Sequence, residues 1–228
     1  MRYGSLGGQD SKIEFRGSDV VAITLPLRVS EDMNKVLATG FLAVFFLSAC
    51  SQSIQDYQHN TPALDLHRFF QGQAQAFGMM QDWQGKQNLH FTARLCGQWQ
   101  GARGDLYEIF QFSDGRTDKR HWQLTTNGAQ VIGTAGDVVG EANGTVAGNS
   151  MQFDYVLRIA TTDGPVDVTV RDWMYLVSPS QLINKSTLHK YGLQVGELTL
   201  AIQQLDASAS CAEFIAEFAR TQVSPPTP

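Results

Sequence analysis

Apolar and polar residues alternate through one segment of the chain after another, and this period of two constrains the fold more than any other feature. Between Asn88 and Leu95, every second residue is apolar and its neighbours are mostly polar. Because successive side chains of a β-strand point to opposite faces, this period predicts strands with one buried and one exposed face. Similar alternation returns in three later segments, at residues 106–112, 151–159 and 166–176.

Asp-Gly and Asn-Gly pairs separate several of the predicted strands, and such pairs are a strong signal of tight hairpin turns. They occur at Asp114-Gly115, Asn127-Gly128 and Asp163-Gly164. Further strands are predicted at residues 73–82, 117–126, 130–134, 181–191 and 195–203. The sequence therefore predicts an all-β domain of about nine or ten antiparallel strands, closed into a barrel because closure removes exposed sheet edges. A β-sandwich is the alternative architecture.

A short N-terminal helix and a C-terminal helix are expected on the two sides of the strands. Asp65 is placed to cap a helix over residues 66–71, and Gly72 is placed to end it. Near the C-terminus, Ser210 and Glu213 have the spacing of a capping box, and the apolar residues that follow share one side of a helix.

Glycine recurs every four residues at Gly136, Gly140, Gly144 and Gly148. The repeat lacks the Lys and the Ser or Thr of a phosphate-binding loop, and no strand–loop–helix context surrounds it. Turns, bulges or close packing of strands are therefore the expected roles of these glycines.

A different kind of sequence precedes the strands, at residues 33–50. Lys35 is followed by an uncharged, mostly apolar run that ends in Leu47-Ser48-Ala49-Cys50. This arrangement predicts a bacterial lipoprotein signal peptide, with Cys50 as the lipidated N-terminus of the mature protein. The run is shorter than the roughly 20 apolar residues of a transmembrane helix. Ser51 replaces the Asp that retains enterobacterial lipoproteins in the inner membrane, so the periplasmic face of the outer membrane is the expected location.

The segment before this signal mixes acidic and basic residues and has no sustained period. We expect it to be an upstream over-extension of a true start at Met33, or a disordered leader. The predicted divisions of the chain are this leader at residues 1–32, the signal peptide at 33–49, a lipidated tether at 50–63, the barrel at 64–205, a helix at 206–222 and a disordered tail at 223–228.

The charge and the motifs exclude several classes of partner and cofactor. The 17 basic and 22 acidic residues give a net charge of −5, which argues against nucleic acid and against electrostatic docking on an anionic membrane. Membrane attachment would come from N-terminal acyl chains. No G-x-S-x-G or H-E-x-x-H motif occurs, and the 5 histidines are scattered, so we expect no metal and no cofactor.

The three cysteines have separate expected roles in an oxidising compartment. Cys50 is assigned to lipid, which leaves Cys96 and Cys211. These two either form a disulfide that pins the C-terminal helix to the barrel, or remain small buried thiols.

Asp172 is the most informative polar residue because it falls on the apolar face of the strand at 166–176. A buried carboxylate is costly unless it is paired, and Arg120 or Lys190 is the expected partner. Such a pair would fix the barrel register or anchor a ligand; a third interpretation is general-acid catalysis with Glu108 as the second carboxylate. If the barrel is hollow, Asp172 should lie at one end of a cavity lined by Phe110, Tyr155, Val170 and Met174.

Several short motifs, none of them specific alone, follow one another in a characteristic order. They are Phe69-Phe70-x-Gly72, Gly97-x-Trp99-x-Gly101, Glu108-x-Phe110-x-Phe112-x-Asp114-Gly115, Arg120-x-Trp122, Asp137-Val138-x-Gly140, Gly148-Asn149, Asp172-Trp173-Met174-Tyr175 and Lys190-Tyr191-Gly192-x-x-x-Gly196-Glu197. In this order the chain resembles, over residues 62–203, a family of bacterial lipoproteins catalogued as domain of unknown function 3833. The first motif is also similar to the start of lipocalins and other calycin barrels. The resemblance implies an envelope lipoprotein with a lipocalin-like barrel and implies no activity.

The sequence favours an outer-membrane-anchored periplasmic lipoprotein that binds an apolar or lipid-like ligand in its barrel. One alternative is an envelope structural or interaction lipoprotein whose barrel is filled by side chains. A second alternative is a hydrolase that acts on envelope lipid or polysaccharide. The ligand, the protein partners and the oligomeric state stay open at this stage.

Overall fold

Each strand of the protein pairs with its neighbour in sequence, and the first strand pairs with the last. The computed structural model describes residues 52–224, which form a closed antiparallel barrel of ten strands. The predicted all-β barrel is thus confirmed, and the β-sandwich is wrong. The expected leader, the signal peptide, Cys50 and the last four residues of the tail lie outside the described residues. Among the described helices, none is long and apolar enough to cross a membrane.

The strands alternate with tight turns and two longer connections. They are β1 (Gly72–Asp82), β2 (Gln87–Gln100), β3 (Arg103–Phe112), β4 (Thr117–Asn127), β5 (Gln130–Thr134), β6 (Ala142–Ala147), β7 (Ser150–Ile159), β8 (Val166–Ser178), β9 (Gln181–Lys190) and β10 (Leu193–Asp206). Helix α1 (Leu66–Phe69) precedes them and helix α2 (Ala212–Arg220) follows them.

Two glycines allow close approaches inside strands, and for Gly144 this is the close packing expected from the four-residue glycine repeat. β2 continues through Gly97, where the backbone of Phe70 approaches so closely that a Cβ would lie 1.8 Å from its carbonyl oxygen. β6 was not predicted, yet it contains Gly144, where a Cβ would lie 2.6 Å from the ring of Phe153. In both cases the glycine admits a neighbouring group inside a strand.

The apolar faces of the strands meet inside the barrel, and α1 covers the end at which β1 begins. The Asp65 side chain accepts a hydrogen bond from the Arg68 N–H at 3.1 Å, so the expected cap is present. Phe69 and Phe70 are buried against the core behind this helix. The helix thereby closes one end of the barrel.

The segment expected to be a tether is instead packed on the barrel. A 3-10 helix at Ile54–Tyr57 is capped by Ser53, and the Tyr57 ring lies 5.8 Å from that of Trp173 and 5.5 Å from that of Tyr175. The Leu64 N–H donates to the Gly148 carbonyl at 2.8 Å. Aromatic packing and backbone bonds therefore hold residues that their polar composition had indicated to be a flexible tether.

The C-terminal helix packs on the outer face of the barrel. Its expected capping box does not form, because Cys211 is the N-cap residue and Ser210 Oγ accepts a bond from Ala212 at 3.2 Å instead. Phe214 of α2 is buried with Ile109 of β3. Cys96 of β2 and Cys211 are joined in a disulfide, with Cα atoms 5.7 Å apart. The helix is thus held to β2 and β3 by packing and by a covalent bond.

Candidate ligand-binding cavity

The barrel interior contains a cavity of about 110 Å³. Phe91, Leu106 and Phe153 are among the apolar residues of its wall. Its polar lining consists of Glu108, Arg120, Tyr155, Asp172, Asn184 and Ser186. Pockets that enclose whole drug-sized ligands measure roughly 300–1,000 Å³, whereas a cavity of about 150 Å³ accepts benzene. The interior therefore has room for a small apolar group and not for an entire lipid.

The structure brings most of the predicted cavity residues together. Phe110, Tyr155 and Met174 line the cavity. Val170 does not line it, since its side chain is buried within the apolar core. Lys190 does not line it either, because its Nζ donates to the Asp167 carbonyl at 3.0 Å. The alternation placed Phe110, Tyr155, Val170 and Met174 on the inward face but did not reveal how deep along the barrel each one lies.

Asp172, Asn184 and Ser186 form a buried group that we call the Asp172 cluster. Asp172 is 5 % exposed, and the sheet register places it directly opposite Ser186. Its Oδ1 accepts hydrogen bonds from Ser186 Oγ at 2.9 Å and from Asn184 Nδ2. Burial raises the pKa of Asp172 to about 6, although these two hydrogen bonds favour its charged form.

The expected ion pair of Asp172 with Arg120 or Lys190 is wrong. Lys190 is four residues beyond Ser186 on β9, which is roughly 13 Å along a strand. Arg120 is on β4, where its cross-strand partner is Glu108. Neutral donors from the adjacent strand β9 bond to Asp172 Oδ1 in place of the expected cation.

Glu108, Arg120 and Asp137 form a second polar group, the Arg120 cluster. Arg120 makes a two-pronged ion pair with Asp137, with Nη2 to Oδ2 at 2.6 Å and Nε to Oδ1 at 3.0 Å. Its Nη1 is 4.0 Å from Glu108 Oε2, which is too long for a hydrogen bond. Within residues 52–224, Glu108 Oε2 is buried without a hydrogen-bond partner. The guanidinium is thus directed mainly to Asp137.

The charged groups around the cavity disfavour an anionic ligand. Burial raises the pKa of Glu108 to about 7, against the opposing effect of the Arg120 charge. Near neutral pH this carboxyl can therefore donate or accept a proton in a hydrogen bond. The two clusters together hold three carboxyl groups and one guanidinium, so an anionic group would be repelled. A hydroxyl, amide or amine is the polar group that fits this interior.

The sequence pattern partly signals the polar residues that were not predicted. Asn184 and Ser186 occupy inward positions of β9 between Leu182 and Leu188, so extending the alternation to this strand would have found them. Asp137 lies in the connection after β5, where no period exists, and only the fold brings it to Arg120. In the described part of the chain, no group of three His, Cys, Asp or Glu side chains could hold a metal ion.

The fold and cavity define a closed antiparallel β-barrel with a small interior space that is lined mainly by apolar residues and by a few polar ones. Residues 44–204 match the family described as Protein of unknown function (DUF3833), and the chain belongs to that family.

The barrel also has a similar solved structure, a protein with unknown function of the DUF3598 family from Nostoc punctiforme. The two share 12% sequence identity, with a TM-score of 0.45. The match covers 63% of this chain and 50% of the other, so it spans half the length of that protein. No curated protein matches the chain.

Proposed function

We propose that this protein is an outer-membrane lipoprotein, anchored through Cys50 at the periplasmic face, that binds an apolar or lipid-like ligand in its barrel. The observation that carries the proposal is an interior cavity with apolar walls and a few convergent polar groups. Binding sites for small molecules are usually built in this way, with apolar surface for affinity and polar groups for orientation.

Glu108 gives the proposal its most specific support. Native proteins leave few buried polar atoms without a hydrogen-bond partner, so each such atom requires an explanation. Glu108 Oε2 is such an atom, and Glu108 lines the cavity. A hydroxyl or amine on an otherwise apolar ligand would satisfy it.

The anchoring part of the proposal rests on the lipobox and on the segment that follows it. Gln52 Oε1 accepts hydrogen bonds from the hydroxyls of Tyr57 at 2.6 Å and Tyr175 at 3.2 Å. Gln52 is two residues from Cys50, and each residue extends at most about 3.6 Å. Acyl chains on Cys50 would therefore hold the barrel wall close to the bilayer, within reach of lipid-like molecules.

Mass spectrometry of organic extracts tests the ligand. Protein purified from membranes should carry a stoichiometric apolar compound. Leu200→Trp should remove it because the indole fills the cavity that Leu200 lines, whereas Ala201→Trp on the outward face should retain it. Absence of ligand from the unsubstituted protein, or equal loading of both variants, would contradict the proposal.

Metabolic labelling tests the anchor. Cys50→Ser should accumulate as an unprocessed precursor that incorporates no palmitate, because the thiol is the site of lipid attachment. Ser51→Ala is the matched control and should be processed normally. Normal processing of Cys50→Ser would refute the anchor.

The small volume of the cavity favours a second candidate, an envelope interaction lipoprotein whose barrel is essentially filled. About 110 Å³ is below the size of ordinary ligand pockets. This candidate predicts no extractable ligand and a reproducible protein partner in cross-linked envelope preparations.

A further inference from the structure

The barrel wall is incomplete beside the first half of β4. β4 pairs with β3 over almost its whole length, but with β5 only over residues 123–127. The loop at 135–141 runs beside β7 instead. There the Arg158 N–H donates to the Asp137 carbonyl at 2.8 Å, and the Val139 N–H donates to the Val156 carbonyl at 2.9 Å. Within residues 52–224, no main-chain hydrogen bond joins residues 118–122 of β4 to this loop. We call the space between them the side opening.

The side opening is short and has defined ends. At one end, Thr117 and Ser224 form two hydrogen bonds. The Thr117 N–H donates to Ser224 Oγ at 2.9 Å, and the Ser224 N–H donates to the Thr117 carbonyl at 2.9 Å. At the other end, the β4–β5 ladder begins at Gln123. Five residues of strand, 118–122, lie between these ends, which corresponds to roughly 17 Å of wall.

The Arg120–Asp137 ion pair spans the side opening. Arg120 comes from β4 and Asp137 from the loop, and neither residue belongs to a ladder that joins the two. A side-chain bond can break and reform without disturbing the paired strands on either side. The wall is therefore held here by a contact that can be rearranged locally.

Arg120 also connects two spaces, the interior cavity and an outer groove. The groove has a volume of about 600 Å³ and lies over the same stretch of wall. Asp118 and Lys119 of β4 line one edge, or lip, and Gly136 and Asp137 of the loop line the other. Arg120 lines the groove as well as the cavity. The groove falls within the size range of ligand pockets, whereas the cavity alone does not.

We propose that the ligand is a single-chain amphiphile with a neutral or zwitterionic head. The end of its chain occupies the cavity, where a hydroxyl on the chain would meet Glu108 Oε2. The chain passes through the side opening, and the head lies in the groove. This deepens the proposed function and rests on it. The groove carries both signs of charge, from Asp118 and Asp137 against Lys119 and Arg120, which suits a zwitterionic head better than an anionic one.

Photo-cross-linking tests this arrangement in protein purified in its natural processed form. The first probe is lysophosphatidylcholine with a diazirine at the chain end, used below its micelle concentration. It should label cavity residues such as Phe110 and Met174, while a head-group diazirine should label groove residues such as Lys119 and Gly136. A fatty acid of the same chain length should label the cavity at least tenfold less, because its carboxylate would lie in the groove beside Asp118 and Asp137 without the positive charge that a zwitterionic head carries.

Two variants test the route. Asp137→Ala removes the ion pair and should raise the rate of cavity labelling at least fivefold, whereas Asp167→Ala, which removes the exposed Arg158–Asp167 pair, should leave it unchanged. Asp118→Cys combined with Gly136→Cys should slow labelling at least tenfold once a short bismaleimide bridges the lips. Gly136 can accept this change because a Cβ there has no neighbour within 4 Å.

The outcomes separate the two proposals. If the cavity is labelled but neither route variant alters the rate, the ligand enters elsewhere, and the inference is wrong while the proposed function stands. Equal labelling by the fatty acid would overturn the head-group assignment. If neither probe reaches the cavity, the proposed function itself fails.

Discussion

The Asp172 cluster and the Arg120 cluster both place carboxyl groups inside the barrel, yet they are held in opposite ways. The Asp172 cluster lies between β8 and β9, which pair over most of their length, and neutral donors satisfy its carboxylate. The Arg120 cluster lies beside the side opening and leaves Glu108 Oε2 unpartnered among the described residues. The first carboxylate is bound by donors of the neighbouring strand, whereas Glu108 keeps the acceptor atom on which the proposed ligand site rests.

The largest effect should come from removing the charge of the Arg120 cluster. Arg120→Ala removes a partly buried ion pair with Asp137 and leaves the buried Glu108 without a nearby cation, so it should destabilise the protein by roughly 3 kcal/mol or slightly more. Urea unfolding at pH 8 measures this loss. Arg158→Ala breaks an exposed pair and should cost about 0–1 kcal/mol. Equal losses in the two variants would show that the Arg120 cluster is effectively solvated.

The next effect is a pH dependence of stability, to which Glu108 of the Arg120 cluster contributes more than Asp172. Folding raises the pKa of Glu108 from 4.5 to about 7 and that of Asp172 from 3.8 to about 6, chiefly by burial. The folded state therefore binds more protons than the unfolded state between these limits. Stability from these groups is fully present below about pH 4 and is lost as the pH rises through 6 to 7.

Glu108→Gln isolates the larger part of this dependence. The shift at Glu108 corresponds to about 3 kcal/mol between pH 4 and pH 8, so the variant should lose that much less stability than the unsubstituted protein over this range. Urea unfolding at a series of pH values measures the difference. An unchanged pH profile in Glu108→Gln would place the titrating group elsewhere.

A smaller effect is expected from the Asp172 cluster. Asp172→Ala removes the acceptor of two buried donors and should cost about 2 kcal/mol, since neutral groups rather than a lone charge are left unpaired. Asp172→Asn keeps an acceptor oxygen and should cost less. A loss of 3–5 kcal/mol in Asp172→Ala would instead indicate that a cation depends on this carboxylate.

The smallest effect should come from a single neutral hydrogen bond of the same cluster. Ser186→Ala removes the donor that lies 2.9 Å from Asp172 Oδ1 and should cost about 1 kcal/mol. The pKa of Asp172 should rise further, because one bond to its charged form is lost. Carboxyl resonances followed by NMR across pH 4–8 would detect this change, and a lowered pKa would contradict it.

The sequence by itself determined nine of the ten strands, the barrel and the inward position of Asp172. Alternation and turn pairs are local properties, and each apolar face can be buried only on one side of a sheet. The family match agrees with this architecture as far as residues 44–204. Helix α1 was also predictable, because its cap depends on residues three positions apart.

Only the tertiary structure decided which residues meet. The partner of Asp172 depends on the register of β8 against β9, and a register is set by many contacts along both strands rather than by either sequence alone. Asp137 reaches Arg120 because β5 is short and the following loop crosses to β7, which no local pattern encodes. The strand β6 and the packed segment before α1 were likewise missed, since glycine and polar residues gain their role there from the surfaces they contact. Local periodicity specifies faces; the pairing of distant segments specifies the site.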